Sequence, residues 1–217
     1  MNAWLDTVLI AFILTGLQAL GSSRLESVIR AVAAEGVLLG AMLFLAHGGA
    51  MPPAVWLLVA GSVVVKSVIF PWLLFRALRA ADVRREVDPY VGYSASLLLG
   101  VMVLAGSLWI GSRFPLPRPA ISTLMVSVAY FGILAGLLLI VTRRQALTQV
   151  VGYLVLENGI YVFGMAIARE NPLLFELGVL LDVFVAVFVM GITIFHISRE
   201  FEHIDTERLS TLNDWTP

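Results

Sequence analysis

Residues 54–75 read AVWLLVAGSVVVKSVIFPWLLF. A helix needs about 20 apolar residues to cross a hydrocarbon core of about 30 Å, and this run supplies them with Lys66 near its midpoint. Lys66 is the only lysine in the chain, and every other basic residue is arginine. An ionisable side chain at the bilayer centre costs roughly 2.5–3.5 kcal/mol on insertion scales. The stretch therefore reads as a membrane-spanning helix carrying a buried charge that needs a reason.

The same reading extends in both directions. Segments at approximately 4–20, 25–46, 91–111, 119–142, 146–168 and 173–197 are long and apolar enough to span, which makes seven with the first. Apolar residues form 59% of the chain and charged residues 13%, and the mean hydropathy is +0.94. These values lie outside the range of soluble domains. The runs are continuous and rich in Leu, Val and Ala rather than alternating, so the expected class is all-α, a polytopic transmembrane helix bundle rather than a β-barrel. The lead to the first segment carries Asp6 and no basic residue, which predicts a retained helix rather than a cleaved signal.

Seven helices put Arg24, Arg76, Arg79, Arg84, Arg85, Arg143, Arg144, Arg199 and Arg208 on one side of the membrane, against Arg113, Arg118 and Arg169 on the other. The positive-inside rule then predicts the N-terminus out and the C-terminus in. No long polar stretch separates domains. The chain divides into a four-helix segment, 1–111, a three-helix segment, 112–197, and a cytoplasmic tail, 198–217. The connection RALRAADVRREVDPY at 76–90 mixes both signs and predicts a short interfacial turn of helix.

Absences narrow the chemistry. Without cysteine the chain offers no ligands for an iron-sulfur cluster or a nickel-iron centre, and no disulfide. His47, His196 and His203 do not share a depth at which they could ligate haem. No glycine-rich phosphate loop, zinc motif or nucleophile elbow is present, and nothing points to nucleic acid.

The intramembrane charges carry the functional signal. Glu35 lies at mid-depth in SRLESVIRAVAAEGVLLGAMLFLA (23–46), with Gly36 and Gly40 as a small-xxx-small patch for close helix approach. Glu26 and Arg30, spaced i,i+4 nearer the cytoplasmic end, read first as an interfacial ion pair. Around Lys66, Ser62 lies one turn earlier on the same face, and Pro71 deprives the Ser67 carbonyl of its usual partner, predicting a polar kink. Lysine in place of arginine matters because a buried ammonium can release a proton, whereas a guanidinium practically cannot. A static Lys66–Glu35 salt bridge is the structural reading.

In ALTQVVGYLVLENGIYVFGMAIA (146–168), Gln149, Tyr153, Glu157 and Tyr161 recur every fourth residue as one polar column. Asn158 and Gly159 follow the acid directly. In PLLFELGVLLDVFVAVFVMGITIFHI (172–197), Asp182 lies near mid-depth and Glu176 nearer the outer side. Aligning Glu35 with Glu157 also matches Leu25 with Leu147, Val28 with Val150 and Ala46 with Ala168, the pattern an ancient duplication of helix triplets would leave.

The last three segments, with GYLVLENGIYVFG and LLFELGVLLDVFVAVFVMGITIFHI, resemble the K-type subunit of complex I and the C subunit of Mrp-type antiporters. The whole chain resembles the hydrogenase-4 component E family of group 4 membrane-bound hydrogenases and formate hydrogenlyase relatives. That resemblance implies a non-catalytic subunit in a bacterial or archaeal cytoplasmic membrane. Its partners would be antiporter-like and other membrane subunits and a cytoplasmic redox arm, with the nickel-iron centre and iron-sulfur clusters held by those partners. In K-type subunits two membrane-embedded glutamates serve a proton path. The first falls on Glu157 and the second on Asp182, a shorter acid.

The expected mechanism is a hydrated proton relay. Glu35 and Lys66 would exchange charge in the N-terminal half and Glu157 and Asp182 in the C-terminal half, with Tyr153 and Tyr161 positioning water. Arg30, Ser62, Gln149, Asn158 and Glu176 would support it. A stand-alone secondary transporter of a cation or small solute, and a structural scaffold with static charge pairs, are the alternative readings.

Overall fold

The computed structural model describes residues 2–47, 53–80, 89–114, 122 and 124–167. The elements are α1 (Asn2–Gly21), α2 (Leu25–His47), α3 (Pro53–Val64), a π-turn (Val65–Ile69), α4 (Phe70–Ala80), α5 (Tyr93–Arg113), α6 (Leu124–Thr142) and α7 (Ala146–Ile167). Because α3, the π-turn and α4 run on as one span, the described residues contain six helices long and apolar enough to cross a membrane. These match six of the seven expected segments and make the chain an integral membrane protein. The expected seventh helix, with Glu176 and Asp182, and the tail lie outside the described residues, as does most of the 76–90 connection.

Turn chemistry sets the boundaries. Gly21–Ser22–Ser23 separates α1 from α2, and Pro53 opens α3 at the position where a missing N–H removes nothing from the helix. Among the described residues α6 and α7 form the most extensive contact, α1 lies on α2, α5 and α6, and α2 packs on α7 and the π-turn. Glycine allows the α6–α7 approach: a Cβ on Gly132 would lie 2.9 Å from the Gly159 Cα, and one on Gly152 would lie 3.0 Å from the Gly136 carbonyl. No side chain fits there, so the two backbones meet directly.

Burial is arranged for lipid. Leu14, Phe44, Leu57, Leu98, Trp109 and Val141 are exposed, whereas α5 turns Ser96, Gly100, Ser107 and Gly111 inward. Inside, two apolar clusters stack along the bundle axis. One joins Leu20, Leu25, Val28, Leu74, Leu139 and Val150. The other joins Leu9, Met42, Val59, Met125, Val162 and Met165. On α1, α2, α3–α4 and α7 the two clusters are separated by one short interval each, and those intervals hold Thr15, Glu35, Lys66 and Glu157.

At the arginine-rich end, Arg143 is buried rather than solvated. Its Nη2 donates to the Leu20 carbonyl at 2.5 Å, and its guanidinium stacks 4.5 Å from the Tyr93 ring centroid. The Tyr90 N–H donates to the Thr142 carbonyl at 2.9 Å. A cation on the last carbonyls of α1 is electrostatically favourable, and this one ties α1, α5 and the α6–α7 turn together.

Candidate functional site

The polar layer begins at the π-turn. The Phe70 N–H bonds the Val65 carbonyl, an i→i+5 bond that widens the helix just before Pro71, whose missing N–H cannot continue the ordinary ladder. The expected kink is thus a local change of helical register, with Lys66 inside it. α2 seats against this turn through glycine: a Cβ on Gly36 would lie 2.7 Å from Ser67 Oγ and 3.0 Å from Lys66 Cβ. Gly40 does the same one turn on, where a Cβ would lie 2.6 Å from Val63 Cγ2.

Lys66 reaches across to α7. Its Nζ donates to Glu157 Oε1 at 2.7 Å and, more loosely, to Asn158 Oδ1 at 3.4 Å. Asn158 Nδ2 donates to Glu35 Oε2 at 3.0 Å, and Thr15 Oγ1 lies 3.4 Å from Glu35 Oε1. Relative exposures are 0% for Glu35, 4% for Lys66, 3% for Glu157 and 2% for Asn158. Two carboxyl groups and one lysine therefore share one buried layer, joined through a single amide.

This pairing corrects the expected one. Lys66 bonds Glu157 of the C-terminal segment directly, and Glu35 joins through Asn158 rather than by a salt bridge of its own. The reason is the register of α7, which packs on α2 and presents Glu157 and Asn158 as neighbours to two different helices.

Other expected site residues are distributed as follows. Tyr161 closes over the lysine, its ring centroid 5.6 Å from Nζ. Ser62 and Tyr161 line a cavity of about 10 Å³ with Lys66, Gly36 and Gly40, about the room one water molecule needs. Tyr153 packs against the apolar cluster on the arginine-rich side. Gln149 donates to the Arg143 carbonyl at 3.0 Å and so braces the α6–α7 turn. Arg30 pairs with Glu26 at 3.8 Å, both side chains well exposed, which is the interfacial pair. The column on α7 therefore splits, with Glu157 and Tyr161 in the polar layer and Gln149 at the membrane edge. Thr15 was not among the expected site residues. Its only signal is a hydroxyl at mid-depth in the first segment.

Comparison with known proteins bears on the whole chain. It is 30% identical over 191 residues to an uncharacterized protein of Mycobacterium tuberculosis, Rv0085, covering 88% of this chain and 87% of that one. The chain belongs to the family of that mycobacterial protein. It is also similar to hydrogenase-4 component E of Escherichia coli, at 27% identity over 153 residues, 70% of this chain and 71% of that one. Hydrogenase-4 component E of Shigella flexneri matches at the same identity and coverage. No family model matches the chain, and no solved structure does.

Proposed function

We propose that this chain is a non-catalytic membrane subunit of a complex-I-like, hydrogenase-type complex, and that its buried layer takes part in moving protons as electrons flow. The similarity to hydrogenase-4 component E supports membership. The observation that carries the transport reading is the Lys66–Glu157 pair at 2.7 Å, set between two apolar clusters and linked to a second carboxylate. A redox-driven movement of α7 or the π-turn that lengthens this pair changes the charge balance of the layer, and a proton taken up or released at Lys66 restores it. The cavity at Ser62 and Tyr161 gives Lys66 its water. On the K-type resemblance, Asp182 would extend the path into neighbouring antiporter-like subunits, with the N-terminus outside and the arginine-rich face inside.

Mild-detergent purification of the tagged native protein tests membership. Antiporter-like subunits, iron-sulfur proteins and nickel should co-purify. The same subunits without nickel would indicate a related complex without hydrogen chemistry, and recovery of the chain alone would overturn the assignment.

The closed geometry of the ion pair also favours one other reading, a scaffold whose charges only hold helices together. Replacing both partners by apolar residues separates the two. A scaffold with Lys66→Met and Glu157→Met keeps translocation, and a relay loses it.

A further inference from the structure

The hydrogen bonds of the layer have a direction. An ammonium has donors only, an amide has one accepting oxygen and one donating nitrogen, and a hydroxyl has one proton and two lone pairs. Facing Lys66, Asn158 must present Oδ1, 3.4 Å from Nζ. Its Nδ2 then points at Glu35 Oε2, 3.0 Å away, and that oxygen must accept. A proton on Oε2 would set donor against donor. When Glu35 is neutral its proton therefore sits on Oε1.

The neighbour of Oε1 is suited to receive it. Thr15 Oγ1 spends its single proton on the Phe12 carbonyl at 2.8 Å, much the shorter of its two contacts. Its longer bond, to Oε1 at 3.4 Å, is a donation to the ionised carboxylate; while its proton is held by Phe12, its lone pairs accept from a neutral Glu35. Gly16 lets α1 close on α6, since a Cβ there would lie 2.9 Å from Phe131 Cε1, and the same point is 3.8 Å from Oε1. Among the described residues, the groups facing Glu35 are thus Thr15 and Gly16 on α1, Phe131 on α6 beside Gly16, Asn158 on α7, and the charge of Lys66 acting from the π-turn.

We infer that Asn158 divides the buried network into two proton-holding halves, Glu35–Thr15 and Lys66–Glu157, which sense each other's charge but pass no proton through the amide. Asn158 is a positioning residue: its amide neither takes up nor releases a proton, and its orientation is set by Lys66. Glu35 is a proton-binding site opening toward α1, and Lys66 is the group that meets the cavity on α2, α3 and α7. The inference gains its role in transport from the proposal above, but its test needs no turnover, so the two can fail separately.

Infrared titration of the full chain in lipid nanodiscs reads the arrangement. The C=O stretch of neutral Glu35 is the protonated-carboxyl band removed by Glu35→Gln. With the proton on Oε1, the carbonyl is Oε2 and accepts from Asn158. Asn158→Leu should therefore move the band to higher frequency, and Thr15→Val, which touches only the O–H side, should move it less. A larger rise in Thr15→Val than in Asn158→Leu would put the proton on Oε2 and overturn the inference. So would shifts in neither, or no band assignable to Glu35 at any pH where the chain stays folded. Circular dichroism confirms folding, and if Asn158→Leu does not fold, Asn158→Ala is read in its place.

Discussion

Lys66 and Glu157 sit 2.7 Å apart with almost no exposure, so each helps compensate the other for leaving water. Removing one partner of such a pair leaves a stranded charge at a cost of about 3–5 kcal/mol, whereas replacing both with apolar groups of similar volume is often neutral. Lys66→Met should lower the thermal midpoint in detergent markedly, and Lys66→Met with Glu157→Met should recover most of that loss. A double variant no more stable than either single one would show that the pair is not what holds these side chains. Lys66→Arg makes a finer distinction, because it keeps the charge but not the releasable proton. The assembled complex should stay intact with translocation reduced at least tenfold, measured as proton uptake into inverted vesicles. At this scale the sequence was informative about depth and uninformative about partners. A lone lysine and mid-segment acids announce a polar layer through their desolvation cost alone, but which acid Lys66 meets depends on the rotation of α7. Thr15 was illegible because a threonine within a helix ordinarily bonds its own backbone, and this one does so as well, at Phe12.

Among the elements, the π-turn and the glycines that seat it do most to place the site. Pro71 predicted a break in the hydrogen-bond ladder, and the structure resolves that break as a widened turn ending at Phe70. The close approach at Gly36 was legible from its spacing with Gly40. That it faces Lys66 and Ser67 was not, since a small-xxx-small patch says how near a neighbour comes and not which neighbour it is. Gly36→Val would push its side chain into Ser67 Oγ and Lys66 Cβ. Overpacking of this kind costs about 1–3 kcal/mol, so the thermal midpoint should fall. Gly106→Val on α5, where a Cβ meets nothing within 4 Å, should leave it unchanged. Equal effects at the two positions would contradict the α2 seat.

For the whole molecule, hydropathy and length placed the six described spans, because a bilayer imposes one length on every helix. What it could not give was the order of packing: α5 and α1 lie on α6, and α2 lies on α7, and the polar layer forms where α1, α2, the π-turn and α7 meet. The arginine asymmetry likewise hid a structural role, since Arg143 reads as a topogenic charge and is found bonding Leu20. Arg143→Gln should loosen the α1–α5–α6 end, seen as faster amide hydrogen exchange at Leu20–Leu25, with the Lys66 layer unaffected. Unchanged exchange there would remove Arg143 as a tie.

Proton translocation by the assembled complex carrying Glu157→Gln tests the central claim most directly. With subunit composition and electron transfer matched to the parent, the account predicts that proton uptake per electron is abolished or sharply reduced. Unchanged uptake in an intact complex would contradict it and take the Lys66–Glu157 pair out of the proton path.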